Sequence, residues 1–364
     1  MRSSNNPIIA ALNKNAGAAQ IVRTSDNMFR PKNIALALLL CLLFGNIMRM
    51  DTQTPPTNPS SKDNGTPSPT ATPDSIQSWS SDYEVDCNQL ATSLRNEEDD
   101  GMFVQTRTDP LFLMNIHSLE DGLSKEIHEK GCWECRHVKN LLKVLGDYPD
   151  AIFLDIGGNI GMWSLSAAAA DHPTFTIEAL SANIKRLCKS VHKNPVMAKN
   201  THIMHVAATA EPETFKFDVP KGNMGGVRVV AVGRGESTDG VEVIRGVPID
   251  SLDLPTDRPV VLKIDVEGHE LQALWGAIKF LQKADIVYAA MELRPRLQME
   301  SKWRTIFDIF EDKELIPWRI NYEGMGDTML DVEKLEEWKH FKHPIVRYYD
   351  VVWRKVDYVP VMDV

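Results

Sequence analysis

One stretch constrains this chain more than any other: Ile152-Phe-Leu-Asp155-Ile-Gly157-Gly158-Asn159-Ile-Gly161-Met-Trp-Ser-Leu-Ser166. An apolar run ends in a carboxylate, a glycine-rich turn follows, and a small-residue helix from Leu165 to Ala170 begins at once. That order predicts a strand, a tight loop and a helix N-terminus, where backbone N–H groups close on a ligand. The acid narrows the ligand. A carboxylate repels a phosphate, whereas a cationic or zwitterionic molecule with hydroxyls and an amine is drawn to it.

From Ile152 onward, short apolar runs alternate with helical patterns, the signature of a parallel sheet with crossover helices. Strands are expected at Ile152–Asp155, Thr174–Glu178, His202–Ala207, Pro259–Asp265 and Ile286–Leu293. Helices are expected at Ile160–Ala170, Ser181–His192, Gly268–Leu281 and near Ser301–Glu311. Trp318–Tyr322 and Arg347–Trp353 read as an antiparallel pair closing a sheet of seven strands, with helices on both faces. Between Phe215 and Arg245, six glycines punctuate β-prone pieces, which predicts a hairpin-bearing insertion of the kind that carries substrate contacts.

Two places in this scheme carry chemistry. Glu178 ends the second strand, 17 residues past Gly161, where a carboxylate accepts hydrogen bonds from the two hydroxyls of a ribose. Lys263-Ile-Asp265-Val-Glu267-Gly268-His269-Glu270 lies at the end of the fourth strand, beside the first strand at the topological switch point. A lysine in an apolar strand needs a partner, and Glu292 on the fifth strand is the expected one. Glu267 and Glu270 also suit a helix N-terminus electrostatically.

Together with Val247-Pro-Ile-Asp250-Ser-Leu252, the Asp155–Gly161 and Lys263–Gly268 motifs resemble the FkbM-type methyltransferase family, from about Ile152 to Arg294. Ser124-x-x-Ile127-x-x-x-Gly131-x-Trp133-Glu134 resembles, more weakly, the lead-in of some eukaryotic relatives. The resemblance implies a class I (Rossmann-like) methyltransferase fold, S-adenosylmethionine as donor, and O-methylation of a hydroxyl. That donor, with its sulfonium and amino acid groups, is the kind of ligand the acid before the glycines favours. Asp155, Gly157, Gly158, Asn159, Gly161 and Glu178 are then the cofactor-binding residues. Asp265 or His269 is the general base, with Glu267 an orienting or alternative carboxylate. The sequence departs from the family at Ile177-Glu178-Ala179-Leu180, where an F-E-P-type segment is common; the acid is kept, but the residues on the adenine side differ.

The rest of the chain bears on where such a reaction occurs. Of its 364 residues, the first 50 carry six Lys or Arg and one acid, while the whole chain has a formal charge of −10. The body is therefore acidic, which disfavours nucleic acid as a partner. Ile34–Met48 is an apolar run of 15 residues flanked by Arg30, Lys32 and Arg49. It is read as a signal anchor with residues 1–33 cytoplasmic, shorter than the ~20 residues of a typical span and relying on snorkelling and local thinning. Residues 49–82 form a Pro/Ser/Thr-rich stalk carrying the acceptor Asn64-Gly-Thr66 for N-glycosylation. A helical lead-in at 83–150 and a methyltransferase domain at 151–364 complete a type II layout, with the body in the Golgi or endoplasmic reticulum lumen. Organelle import is the alternative.

Cys132-Trp-Glu-Cys135 has no second pair at zinc spacing, so no metal site is expected, and a disulfide involving Cys87, Cys132 or Cys135 suits a lumenal body. Cys188 falls on an apolar helical stripe with Leu180, Ile184, Leu187 and Val191 and is expected in the core. The acceptor is expected to be a glycan or a secreted metabolite. Two other functions remain open. One is a noncatalytic methyltransferase-fold binding protein on a stalk. The other is a nicotinamide oxidoreductase, weakened because no G-x-G-x-x-G occurs in the loop.

Overall fold

The computed structural model describes residues 82–94, 101–218, 226–233, 235–293, 300–320, 328–329 and 349–358. All lie in the unit Ser75–Val364. The expected anchor and the Asn64 acceptor lie outside the described residues, among which no helix is long and apolar enough to cross a membrane.

Helix α1 (Cys87–Ser93) begins at Asp86, whose carboxylate accepts from the amides of Asn88 and Gln89. An antiparallel hairpin of β1 (Met102–Gln105) and β2 (Leu113–Ile116) follows, an element the helical pattern of the lead-in does not announce. Helices α2 (Gly122–Lys130) and α3 (Cys135–Asp147) supply the helical part of the lead-in.

The alternating body comes next in chain order: β3 (Ile152–Ile156), α4 (Met162–Ala169), β4 (Thr174–Glu178), α5 (Ser181–Lys193), α6 (Pro195–Ala198) and β5 (Thr201–His205). Short strand β6 (Ala207–Ala208) leads into β7 (Glu213–Asp218), β8 (Arg228–Ala231) and β9 (Val243–Val247). The chain returns through β10 (Pro259–Ile264), α7 (Glu270–Trp275), α8 (Ile278–Lys283), β11 (Asp285–Leu293) and α9 (Glu300–Asp312). It ends in β12 (Ile316–Arg319), β13 (Thr328–Met329) and β14 (Tyr349–Arg354).

The main sheet runs β13-β12-β14-β11-β10-β3-β4-β5, with β5, β4, β3, β10 and β11 mutually parallel. Strand β14 pairs antiparallel with both β11 and β12, the expected closing pair. The sheet has eight strands rather than seven, because the two-residue β13 adds to β12. The order reverses between β3 and β10, and there the loop after each strand opens at the same edge.

Alternation along the strands sends successive side chains to opposite faces. Ile152, Leu154 and Ile156 pack with Leu274, Leu281 and Phe307 on one face. Phe153 and Val261 pack with Leu141, Leu165 and Leu187 on the other. Helices therefore cover both sides, and the lead-in helix α3 belongs to the second core.

The insertion is larger than a hairpin: β6, β9, β7 and β8 make a separate four-stranded sheet. The helix expected over Gly268–Leu281 is broken at Gly276, where a Cβ would stand 2.0 Å from the Thr209 carbonyl oxygen. Asp250 restarts it, its carboxylate accepting from the amides of Lys279 at 3.1 Å and Phe280 at 2.8 Å. The Val247–Leu252 motif thus has a capping role in this chain. Disulfides join Cys132 to Cys135 and Cys87 to Cys188. Cys188 is fully buried, as its apolar stripe requires, but it is cross-linked rather than free; burial and pairing leave the same sequence signal.

Candidate active site

A cavity opens at the carboxyl edge of β3, β4 and β10. Gly157, Asn159 and Glu178 form one side, Asp265, Glu267 and His269 another, and Ile177, Leu180, Val206 and Ala208 supply an apolar end. Phe217 and Val229 of the insertion sheet complete the wall, so the insertion does reach the site.

The glycine loop is held by the sheet rather than kept open for a ligand. The amides of Gly157 and Gly158 both donate to the Ile177 carbonyl, at 2.8 and 3.1 Å. Asn159 N–H donates to Glu178 Oε2 at 2.8 Å, Ile160 N–H to Asn159 Oδ1, and Gly161 N–H to the Gly158 carbonyl. The expectation that these N–H groups close on a ligand is therefore corrected: short-range partners take them first. Gly157 sits at φ +86°, and a Cβ there would fall 1.8 Å from the Asp265 carbonyl oxygen. Only glycine lets the two switch-point loops touch.

Glu178 is 8% exposed and its carboxylate is well occupied. Oε2 accepts from Asn159 N–H, while Oε1 accepts from Leu180 N–H at 2.7 Å and from Asn183 Nδ2 at 3.3 Å. A carboxylate has about four lone-pair sites, so one direction on Oε2 remains for a ligand, fewer than the two hydroxyl contacts expected. Burial pushes its pKa up to about 7 against the pull of these three donors. Asn183 is itself oriented. Arg186 Nε–H donates to His117 Nδ1 at 3.2 Å, so His117 Nε2 carries the proton and donates to Asn183 Oδ1 at 2.9 Å. The amide of Asn183 must then face Glu178.

Asp155 lies behind the loop, 1% exposed, rather than in the cavity wall. Its Oδ2 accepts from Ser164 Oγ at 2.5 Å, and Ser164 Oγ accepts from Thr176 Oγ1 at 2.8 Å. Burial raises its pKa, opposed by Lys263 at 3.8 Å. Gly158 and Gly161 are likewise behind the cavity, each close against a neighbouring side chain, Thr176 and Leu187 respectively.

Lys263, 8% exposed, pairs with Asp265 at 3.3 Å and Asp155 at 3.8 Å, and not with Glu292 as expected. Burial alone would lower its pKa, but Asp265, Asp155 and Glu134 together hold it raised. Asp265, just past β10, has a side chain 35% exposed. His269 Nε2 stands 3.4 Å from Thr209 Oγ1 and its ring meets Phe215 edge-on, so it faces the insertion; burial lowers its pKa. Glu267, at φ +53°, lines the cavity. Glu270 accepts from Gly268 N–H at 2.7 Å at the start of α7, the helix-terminus role weighed for it.

A second, narrow cleft opens on the other side of Asp265, and its walls include Glu134, Trp163, Lys263, Glu292 and Asp350. Glu134, Trp163 and Asp350 were not singled out from sequence as site residues. Glu134 had only the weak lead-in resemblance to mark it, and Asp350 is hidden at the head of an apolar strand.

Residues 155–318 match the sequence profile of the methyltransferase FkbM domain. No curated protein sequence matches the chain. Among solved structures, precorrin-6y C5,15-methyltransferase from Geobacter metallireducens GS-15 aligns at 14% identity and a TM-score of 0.33, covering 66% of this chain and 98% of its own. TYW2 of P. horikoshii, in complex with MeSAdo, aligns at 13% identity and 0.29, covering 70% of each chain. The fold rests on the strand order itself and the family on the matched profile: residues 155–318 carry the methyltransferase FkbM domain.

Proposed function

We propose that the domain is an S-adenosylmethionine-dependent O-methyltransferase that acts on a glycan or secreted metabolite in the secretory-pathway lumen. The observation that carries the reading is Asp265, which borders both the large cavity and the cleft beyond it. A carboxylate at the boundary of two cavities is where a proton must be received if donor and acceptor enter from opposite sides.

The large cavity fits the donor. Its apolar end suits an adenine, and Glu178 Oε2 has one acceptor direction for a ribose hydroxyl. When bound, S-adenosylmethionine supplies a sulfonium methyl: the acceptor oxygen gains the carbon and the sulfur keeps the bonding pair. Asp265 takes the hydroxyl proton, and Lys263 at 3.3 Å steadies that carboxylate. Positioning by the walls contributes most of the acceleration, since the leaving group is already good. Glu267 and His269 face the donor cavity, and His269 is engaged with the insertion, so Asp265 is the better base.

Two disulfides suit an oxidising compartment and so support a lumenal body behind an anchor at 34–48. Calorimetry with S-adenosylmethionine tests the donor: a folded protein that gives no heat of binding sinks the enzyme reading. Asp265→Asn is expected to lower turnover at least tenfold with donor affinity within twofold, and wild-type rates remove it as base. Protease added to intact microsomes is expected to spare the body, and digestion reverses the topology.

A further inference from the structure

The cleft beyond Asp265 is not used by the donor, yet it is built from ionisable groups that are costly to bury. It lies at the same sheet edge, over the ends of β10 and β11 and the head of β14, where Glu292 and Asp350 are cross-strand neighbours. Glu134 reaches it from the loop closed by the Cys132–Cys135 disulfide, at φ +50°, and accepts from Trp163 Nε1–H at 2.8 Å. Lys263 Nζ stands 5.5 Å from the centre of the Trp163 ring. The Asp350 carboxyl has no hydrogen-bond partner among the described residues.

We propose that this cleft, walled by Glu134, Trp163, Lys263, Glu292 and Asp350, is the acceptor site and takes the hydroxylated edge of an uncharged polyol. The proposal rests on the donor assignment for the large cavity, because Asp265 is what the two spaces share.

The mixture of donors and acceptors selects the ligand class. Burial, together with the nearby Glu134 and Asp265 charges and against Lys263, pushes Asp350 up to about 8, so at neutral pH it holds a proton to donate. Lys263 stays charged and donates, and Asp265 accepts. A hydroxyl both donates and accepts and so meets every member of the set. An ammonium would only donate and would face Lys263. A carboxylate or phosphate would face Glu134, Asp265 and Glu292 with Lys263 as the one cation among the named cleft walls to offset them. Trp163 and the apolar Val351 and Ile320 at the walls give the carbon skeleton a surface to rest on.

Saturation-transfer NMR on the full chain tests this with methyl glucopyranoside, mannopyranoside and galactopyranoside and inositol as uncharged probes, and with glucuronate as an anionic one. At least one uncharged probe is expected to receive saturation and glucuronate none. Glu134→Gln and Asp350→Asn are expected to weaken the responding probe at least fivefold while leaving 5′-methylthioadenosine affinity within twofold. No uncharged probe responding, glucuronate responding equally, or folded variants binding as wild type would each overturn the proposal. If Asp350→Asn does not fold, Glu134→Gln, whose amide oxygen still accepts from Trp163, decides alone. Failure of the donor assignment shows separately, as loss of 5′-methylthioadenosine binding in wild type.

Discussion

On the proposed donor assignment, Glu178 makes donor affinity depend on pH in a way that can be worked out beforehand. Its carboxyl titrates at about 7, raised by burial from 4.5. About a tenth is ionised at pH 6 and about nine-tenths at pH 8, one unit either side of the midpoint. A hydrogen bond to an ionised acceptor is worth about 1 kcal/mol more than one to a neutral acceptor, or about fivefold in affinity. The probe is 5′-methylthioadenosine, which carries the ribose hydroxyls but no amino acid to titrate. By calorimetry its affinity should rise about threefold from pH 6 to pH 8 in wild type, the fivefold difference weighted by those ionised fractions, and stay level in Glu178→Gln. A level wild-type profile, or the same rise in the variant, refutes the assignment. Stability moves the opposite way. The unfolded chain releases this proton near 4.5 and the folded chain near 7, so rising pH removes stability across that window, by about 3 kcal/mol in full. Thermal melts of wild type and Glu178→Gln should diverge in slope over the same interval.

Three further outcomes are open to direct measurement. Asn183→Leu removes one of the donors that hold Glu178 ionised, so the midpoint of the affinity profile should move to higher pH; an unmoved midpoint would show that Asn183 does not act on it. Gly157→Ala must hold a Cβ at φ +86° and 1.8 Å from the Asp265 carbonyl oxygen, which together should cost about 2–5 kcal/mol in denaturant melts. Replacing both Cys87 and Cys188 by Ala opens a cross-link of sequence separation 101, and the chain-entropy argument puts the loss at about 4–5 kcal/mol; a loss under 1 kcal/mol would show that packing alone fixes α1 on α5.

The sheet was legible because its strands are short apolar runs bounded by turns, and the βα alternation leaves few topologies. Ile152–Ile156, Thr174–Glu178 and Pro259–Ile264 lie where the pattern puts them, with Glu178 and Asp265 at their ends. The insertion sheet was less legible. Its strands alternate weakly and carry exposed Val230 and Val243, so glycines were the only punctuation. Asp155 misled because an acid at a strand end has the same sequence appearance whether it faces the ligand or turns back to Ser164 and Lys263. The partner of Lys263 is hidden for a similar reason: strand order supplies neighbours, but side-chain direction chooses Asp265 and Asp155 among them. Nothing in the spacing of Glu134 or Asp350 foretold that residues more than 200 positions apart would wall one cleft.

The Arg186–His117–Asn183 chain and the Cys87–Cys188 cross-link have a consequence for where this domain begins. The family profile runs from residue 155 to residue 318. Inside that span lie Glu178 and Asp265; outside it lie His117, Cys87, Glu134 and Asp350. A fragment cut to the profile would lose the histidine that turns Asn183 toward Glu178, the cysteine that bolts α5 in place, and two walls of the cleft. On the proposed reading, the matched segment holds the donor cavity and three of the five cleft walls, while the flanks add the other two and the residues that brace Asn183 and α5. A fragment that keeps only the matched segment is thus expected to bind 5′-methylthioadenosine more weakly than the full chain and to lose the polyol response.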